Sequence, residues 1–214
     1  MRRPLTIAFA WITTMAVAHT AAAAANPESF VRTEHTKLTS LLRQSVSVSR
    51  EAQVSMTLGG VIDYEELTQR AFGSPCPAQL AKCVNHWAAL NDAQKTETRA
   101  LLRKLIEKNY KKNLTKTLDY EITYKGATPL AGNARVRTEA KSKAKLRDPA
   151  VQVDYLVRDR SAEQGVEFRV VDIITEGSSL TKNYYEQFHK MLITAGQGYP
   201  HIVKKINEKL AKKE

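Results

Sequence analysis

The residues best suited to chemistry in this sequence are its histidines and one pair of serines. Past the N-terminal segment, the histidines are His35, His86, His189 and His201. None falls in an H-E-x-x-H motif or another zinc-site spacing, so we interpret each as a lone surface histidine and predict no metal site. Ser178 and Ser179 do not form the G-x-S-x-G elbow of a hydrolase, because Leu180 and Thr181 follow them. We expect one of these serines to cap a helix instead.

Other catalytic signatures are missing from the sequence as well. It contains no phosphate-binding loop and no dinucleotide fingerprint. Acidic residues in its alternating segments point mostly to the solvent side, which does not suggest a paired-carboxylate site. We therefore predict no catalytic residues, no cofactor, and a protein that is not an enzyme.

The segment SPCPAQLAKC contains the two cysteines of the chain, Cys76 and Cys83. In an oxidising compartment a disulfide between them is expected, and a redox role is less expected because the spacing is not C-x-x-C. A regular helix would hold the two Cα atoms about 10 Å apart, too far for a disulfide. Pro75 and Pro77 keep Cys76 out of a helix, so the chain can fold back. Closing this short loop would stabilise the fold by roughly 2–3 kcal/mol.

Residues 1–25 have the three parts of a secretory signal peptide. Two arginines precede a short apolar run, and a block of alanines then offers cleavage sites. We expect cleavage near Ala24 or Ala25 and export of a single domain, residues 26–214. An uncleaved anchor is less expected, because the apolar run is short and contains two threonines.

The chain is basic and long enough for one domain. It has 33 Lys and Arg against 22 Asp and Glu, a formal net charge of +11 over 214 residues. Roughly 190 residues after the signal peptide suffice for one hydrophobic core, with little room for two. The charge favours an anionic partner, and an exported protein meets membrane surfaces before nucleic acid. A solvated basic surface with no specific partner explains the composition equally well.

The N-terminal half of the mature chain predicts helices. Residues 26–28, Asn-Pro-Glu, are typical of a helix start, and an apolar stripe continues to about Val48. Gly59-Gly60 is expected to break the chain. Asp63 opens another helix through a D-x-x-E capping box, and Gly73 ends it. Two more helical segments follow before the pattern changes.

The spacing of apolar residues then becomes alternating, which predicts β-strands. The four segments lie near residues 118–125, 134–141, 151–158 and 166–170. Short turns between them indicate an antiparallel meander with one apolar face. Helices must cover that face, including two at the C-terminus, Ser178 to about Ala195 and about Tyr199 to Ala211. The predicted fold class is α+β, with N-terminal helices, a curved four-stranded antiparallel sheet, and C-terminal helices over its apolar face.

The apolar side chains of this face and of its covering helix either fill a core or line a cavity. They are Tyr120, Ile122, Tyr124, Val136, Val153, Tyr155, Phe168 and Val170 on the strands, and Leu180, Tyr184, Tyr185 and Phe188 on the helix. The residue types do not separate the two arrangements, and a filled core is the commoner one. Small residues on the second strand, Ala134, Thr138 and Ala140, leave some room.

Four segments together resemble a known family. They are IDYEELTQRAFG, HWAALNDAQKTETRALLRKLIEKNY, FRVVDIITEGSSLTKNYYEQF, and a tail with Gly196 and Gly198 before Ile202 and Leu210. In this order they resemble the MlaC (toluene-tolerance) family of periplasmic phospholipid-binding proteins. The third segment carries the most specific pattern. SPCPAQLAKC departs from the family, many of whose members lack these cysteines, and is expected to alter a loop more than the function.

The resemblance implies a soluble periplasmic phospholipid carrier that maintains outer-membrane lipid asymmetry. Such carriers hold the acyl tails between sheet and helices. They move lipid between an outer-membrane lipoprotein–porin complex and an inner-membrane ABC transporter with its lipid-binding domain. We accordingly expect a monomer with phospholipid as cargo, no other cofactor and no nucleic-acid partner. The expected lipid-binding residues are Tyr120, Ile122, Val136, Val153, Tyr155, Phe168, Val170, Leu180, Tyr184 and Phe188.

Two other function classes remain compatible with the residues. One is a periplasmic chaperone that shields an apolar protein segment, such as a lipoprotein anchor. Co-purified peptide or lipoprotein, rather than diacyl lipid, would support it. The other is an α+β enzyme with a small apolar pocket, for which the sequence offers no acid–base pair.

Overall fold

A computed structural model of the chain describes residues 26–77, 80–130, 132–164 and 166–212. The predicted signal peptide, residues 1–25, lies outside the described residues. The helices are α1 (Pro27–Leu42), α2 (Val48–Val61), α3 (Tyr64–Ala71), α4 (Asp92–Thr117), α5 (Ser161–Gln164), α6 (Leu180–Ile193) and α7 (Gly198–Ala211). The strands are β1 (Tyr120–Leu130), β2 (Asn133–Ser142), β3 (Val151–Arg160), β4 (Val166–Thr175) and β5 (Ser178–Ser179).

The predicted α+β architecture is confirmed. The strands follow each other in the order β1-β2-β3-β4-β5, and every neighbouring pair is antiparallel. Strand β5 has only two residues and is the one strand of this sheet that the prediction omitted. The meander therefore brings residues from its four long strands onto one continuous face.

The helix boundaries near the N-terminus differ from the prediction. Helix α1 ends at Leu42, and α2 runs through Gly59 and Gly60, so the predicted chain break there is wrong. A Cβ atom on Gly59 would lie 3.2 Å from the Nη2 atom of Arg103 on α4. The space beside Gly59 is thus occupied by the end of the Arg103 side chain. Glycine has a low helix propensity, but the helix continues through this pair.

Strand β1 is longer than its sequence pattern indicates. The predicted turn at residues 126–132 is wrong for most of its length, because β1 continues to Leu130. The register with β2 shifts between Tyr124 and Ala127, where Gly126 takes a φ of +97°. Beyond this bulge the strand is largely exposed, so its apolar alternation stops although its pairing continues.

The helix caps agree with the predictions. The side chain of Asp63 accepts a hydrogen bond from the backbone N–H of Glu66 at 2.8 Å. Ser179 caps α6 by accepting from the N–H of Lys182 at 3.1 Å. Gly73 follows α3 with a φ of +84°, the left-handed conformation that favours glycine.

A buried ionic cluster joins α3 to strand β3. Glu66 forms an ion pair with Arg70 one turn later, and its other carboxylate oxygen lies 2.9 Å from Arg158 and 2.8 Å from Arg160. Asp63 lies 2.5 Å from Arg160 as well. Both acids are buried. Because buried charges are tolerated only when they are paired, this cluster specifies how α3 packs on the sheet.

The predicted disulfide between Cys76 and Cys83 is present, with the Cα atoms 5.8 Å apart. The segment after it is attached to α6, because the N–H of Val84 donates to the hydroxyl of Tyr185 at 2.8 Å. The disulfide thus belongs to a loop that packs beside α6. Within the described residues, no helix combines the length and the hydrophobicity that crossing a membrane requires.

Candidate functional site

A cavity of about 960 Å³ lies between the sheet and the helices. Its wall is built from α1, α4, the start of α6 and strands β1 to β4. The apolar and aromatic part consists of Ile106, Tyr110, Leu118, Tyr120, Ile122, Tyr124, Ala140, Val151, Val153, Tyr155, Ile173, Leu180 and Tyr184. Hydrophobic side chains thus surround most of the enclosed volume.

Strand register explains why this part of the sheet leaves a space. Two cross-strand rows face the cavity: Ile122–Ala140–Val151 and Tyr124–Thr138–Val153–Thr175. In each row strand β2 contributes a small side chain, Ala140 or Thr138. Alternation places the row members on one face of the sheet, and the small residues of β2 leave the volume that larger residues would fill.

A bulge in β4 selects which of its residues face the cavity. Val157 of β3 pairs with Val170, but the neighbouring Leu156 pairs with Asp172, so β4 has one extra residue there. The side-chain alternation is therefore reversed beyond the bulge. Ile173 and Thr175 face the cavity as a result, whereas an uninterrupted strand would place their neighbours there.

His35 of α1 forms hydrogen bonds with two tyrosines in the wall. Its Nδ1 atom lies 2.9 Å from the hydroxyl of Tyr124, and its Nε2 atom lies 2.9 Å from the hydroxyl of Tyr155. Burial lowers the pKa of His35 to about 4, so the imidazole is neutral near pH 7. The interpretation of His35 as a lone surface histidine is therefore wrong. Its two hydrogen bonds tie α1 to β1 and β3.

The tyrosines in the wall are kept in their neutral form. Burial raises the pKa of Tyr124 to about 12, although the guanidinium of Arg32, 4.0 Å from its ring centre, opposes this shift. Burial also raises the pKa of Tyr110 and that of Tyr155. His35 and these three tyrosines thus carry no charge near pH 7.

Helix α1 crosses the sheet toward the end where β2 finishes and β3 begins. Its residue Phe30 packs against Phe168 with ring centres 5.8 Å apart, and His35 reaches Tyr155 further along. Arg43, which follows the helix, and Lys143, which follows β2, both line the same cavity. The loop after α1 and the loop after β2 therefore meet the cavity at one end of the sheet.

That end of the cavity is polar and cationic. Exposed lining residues there are Ser40, Arg43, Lys143, Ser178 and Asn183. The Nζ atom of Lys143 donates to the carbonyl of Leu118 at 2.8 Å, and the side-chain amide of Asn183 donates to Ser178 at 3.0 Å. The cavity thus joins an apolar interior to a positively charged opening.

Six of the ten residues predicted to bind lipid line this cavity: Tyr120, Ile122, Val153, Tyr155, Leu180 and Tyr184. The other four, Val136, Phe168, Val170 and Phe188, are buried in the hydrophobic core outside the cavity wall. They lie where helices pack directly on the sheet or on each other. Phe72 and Phe188, for example, have ring centres 5.0 Å apart. The lipid-binding role of the ten residues remains a prediction.

Sequence reasoning missed the contributions of α1 and α4 to the wall. From α1 the cavity is lined by Arg32, His35, Thr36, Thr39, Ser40 and Arg43, and from α4 by Ile106, Asn109 and Tyr110. A signal was present in α1, where the polar residue His35 falls on the same helix stripe as the buried Val31, Leu38 and Leu42. The prediction treated these helices only as a cover.

A second histidine site lies beside the disulfide loop. The Nε2 atom of His86 is 2.7 Å from the Nδ1 atom of His189, so the interpretation of each as a lone surface residue is wrong. Burial lowers the pKa of His86, and His189 lowers it further. His189 also lines an open depression of about 440 Å³ with Cys83 and Val84. Among the described residues, no group of three or more His, Cys, Asp or Glu side chains is arranged to hold a metal ion.

Comparisons with known proteins agree with this architecture. The family model described as MlaC protein matches residues 32–208. Among solved structures, a phospholipid-binding protein from Ralstonia solanacearum, in complex with a phospholipid, is similar with a TM-score of 0.68 and 18% sequence identity. The similarity covers 87% of this chain and 98% of that chain. At this identity it shows a shared fold. A comparison with curated proteins finds no match.

Proposed function

The chain belongs to the MlaC family, and on that premise we propose that it is a periplasmic carrier of phospholipid. The observation that carries this proposal is the cavity of about 960 Å³ between the sheet and the helices. Small-molecule sites span roughly 300–1,000 Å³, so this cavity is near the upper end of that range. Its largely apolar wall suits acyl chains better than a polar metabolite.

The polar groups of the wall satisfy each other, which suits an apolar guest. An acyl chain offers no hydrogen bonds, so a buried polar group beside it must find a partner in the protein. Both ring nitrogens of His35 have tyrosine partners at 2.9 Å. The hydroxyl of Thr138 donates to the carbonyl of Val153 at 2.6 Å. Filling the cavity with hydrocarbon would leave these hydrogen bonds intact.

The two ends of the cavity define an orientation for the lipid. The acyl chains would occupy the apolar interior, and the phosphate would lie near Arg43 and Lys143 at the exposed end. Lysine and arginine side chains form charge-assisted hydrogen bonds with phosphate oxygens. The rest of the headgroup would project into solvent, so a range of headgroups would be accepted.

The energetics of such a cargo require direct transfer. Burying one methylene group is favourable by about 0.8 kcal/mol, so burying two acyl chains contributes a gross free energy on the order of 20 kcal/mol. Release into water would be very slow, and the tails would have to pass to another apolar site. We propose as those sites the outer-membrane lipoprotein–porin complex and the inner-membrane ABC transporter with its lipid-binding domain. Exchange between them would maintain outer-membrane lipid asymmetry.

The proposal assigns one binding domain to residues 26–214, exported after removal of residues 1–25. It involves no catalytic step, and phospholipid is the cargo. The alternative, shielding of an apolar protein segment, would place a peptide in the same cavity.

Mass spectrometry of the mature protein from a periplasmic extract tests this proposal. The native mass is expected to exceed that of the polypeptide, and organic extraction should release diacyl phospholipid. A delipidated sample should regain the mass increment from phospholipid vesicles. A polypeptide mass with no uptake from vesicles would refute the carrier function, and a bound peptide would favour the shielding function.

A further inference from the structure

Two loops at the cationic end of the cavity each present an exposed apolar side chain. The first, residues 43–47, joins α1 to α2, and the second, residues 143–150, joins β2 to β3. We call them the rim loops, since Arg43 and Lys143 at their starts line the cavity. Val46 of the first is 79% exposed, and Leu146 of the second is 71% exposed.

The rim loops are also strongly basic. The first contains Arg43 and no acidic residue. The second contains Lys143, Lys145 and Arg147 against a single acid, Asp148. No ion-pair partner for Lys145 or Arg147 occurs among the residues described by the structure. Elsewhere, exposed cations such as Arg32 and Lys37 have carboxylate partners 2.6 Å away.

We propose that the rim loops dock the protein onto an anionic phospholipid bilayer. Leu146 and Val46 would enter the headgroup region while the four cations contact lipid phosphates. A stable complex with a protein partner would bury about 800 Å² of surface on each side, with an apolar core. Isolated apolar side chains among unpaired cations fit a lipid surface better. When the protein is docked in this way, its cavity opens onto the bilayer, and a lipid tail can enter without crossing bulk water.

This proposal goes beyond the carrier function, because a carrier that met only protein complexes would need no bilayer contact. Flotation with vesicles of phosphatidylglycerol and phosphatidylcholine tests it, with pure phosphatidylcholine vesicles for comparison. Wild-type protein is expected to float with the anionic vesicles, and the bound fraction should fall as salt is raised. The double variant Lys145→Gln/Arg147→Gln should reduce the partition coefficient about thirtyfold, roughly fivefold for each charge.

Matched controls separate the rim loops from general surface charge and hydrophobicity. Lys190→Gln/Lys204→Gln removes two exposed cations from α6 and α7 and should change partitioning less than twofold. Leu146→Asp should weaken binding at least tenfold, whereas Ile193→Asp, at another exposed apolar position, should not. Thermal unfolding of each variant checks that the fold is intact.

The outcomes distinguish this proposal from the carrier function. Val153→Asp, inside the cavity, should bind anionic vesicles normally while losing its cargo, which extraction and mass spectrometry measure separately. Equal flotation of the rim variants and wild type would overturn bilayer docking and leave carriage unaffected. Loss of binding to a membrane protein complex, with vesicle binding unchanged, would instead make the rim loops a protein interface and also overturn the proposal.

Discussion

His35 and Tyr155 are hydrogen-bonded across the cavity wall, with Nε2 2.9 Å from the tyrosine hydroxyl. The second ring nitrogen of His35 is bonded in the same way to Tyr124. Of these two bonds, the neutral imidazole donates one and accepts the other, so one tyrosine acts as acceptor and one as donor. A protonated imidazole would need two acceptors and would lie in a buried, largely apolar wall. Charge at His35 is therefore linked to the attachment of α1 to the sheet.

The first prediction concerns stability in mild acid. Burial lowers the pKa of His35 from 6.5 to about 4 in the folded state, so the unfolded state binds the proton first as pH falls. The stabilisation is complete above pH 6.5 and is lost progressively between pH 6.5 and 4, by up to about 3 kcal/mol. In urea unfolding from pH 7.5 to 4.5, wild type should lose more stability than His35→Gln. If the free energies of unfolding of the two proteins fell in parallel with pH, the assignment of this pH dependence to His35 would be contradicted.

The second prediction concerns lipid carriage. Val153 lies on the cavity wall between Thr138 and Thr175. A carboxylate in Val153→Asp would face the acyl chains and would need hydration that they exclude, so bound phospholipid should fall at least tenfold. Extraction and mass spectrometry measure this loss. Ile193→Asp, at a side chain that is 65% exposed and outside the rim loops, serves as the control and should retain its lipid.

Phe168→Asp should behave differently from the Val153 variant. Phe168 is 6% exposed and packs against Phe30 in the core, so a charge there should unfold the protein rather than empty the cavity. A folded Phe168→Asp protein without lipid would show that this part of the core opens to the guest.

The third prediction concerns the buried ionic cluster. Glu66→Gln removes the carboxylate that Arg70, Arg158 and Arg160 share, and buried charges with a lost partner typically cost about 3–5 kcal/mol. Denaturant unfolding gives this free energy. Glu65→Gln is a closely matched control, since its exposed carboxylate lies 3.5 Å from Arg99 and should contribute less than about 1 kcal/mol. Equal effects of the two substitutions would argue against a structural role for the cluster.

The fourth prediction compares two glycines with similar backbone conformation. Gly73 and Gly177 have φ values of +84° and +77°. A Cβ atom on Gly73 would lie 2.3 Å from the carbonyl oxygen of Val84, whereas one on Gly177 would meet nothing within 4 Å. Gly177→Ala should therefore cost about 1–2 kcal/mol from backbone strain alone. Gly73→Ala should cost at least about 2 kcal/mol more, because the disulfide loop must move away from α3. Thermal or urea unfolding of both variants checks the difference.

The fold was predictable from local patterns, because caps and periodicity are local properties. Asp63, Ser179 and Gly73 mark their helix ends through hydrogen bonds or a φ value set within a few residues. Gly59 shows the opposite case. It lies inside α2 against its local propensity, and its neighbour Arg103 is distant in sequence. Local propensity contains no information about such a contact.

The cavity was less predictable than the fold, since its extent depends on which helix lies above each strand position. Val136 and Val153 both face inward by alternation, yet Val136 is fully buried in the core and Val153 lines the cavity. The bulge in β4 also reverses the alternation before Ile173. His35 lies in no recognisable sequence motif, because its hydrogen-bond partners Tyr124 and Tyr155 come from separate strands far along the chain.

The order of the wall elements along the chain has a consequence for its synthesis. The cavity takes its first wall from α1 near residue 32 and its last from α6 near residue 184, with the sheet between them. An emerging chain therefore presents the apolar sheet face before α6 exists to cover it, which exposes it to aggregation. A lipid-competent pocket forms only after nearly the whole chain is available. A chain truncated before α6 would expose the apolar sheet face and tend to aggregate, rather than bind lipid more weakly.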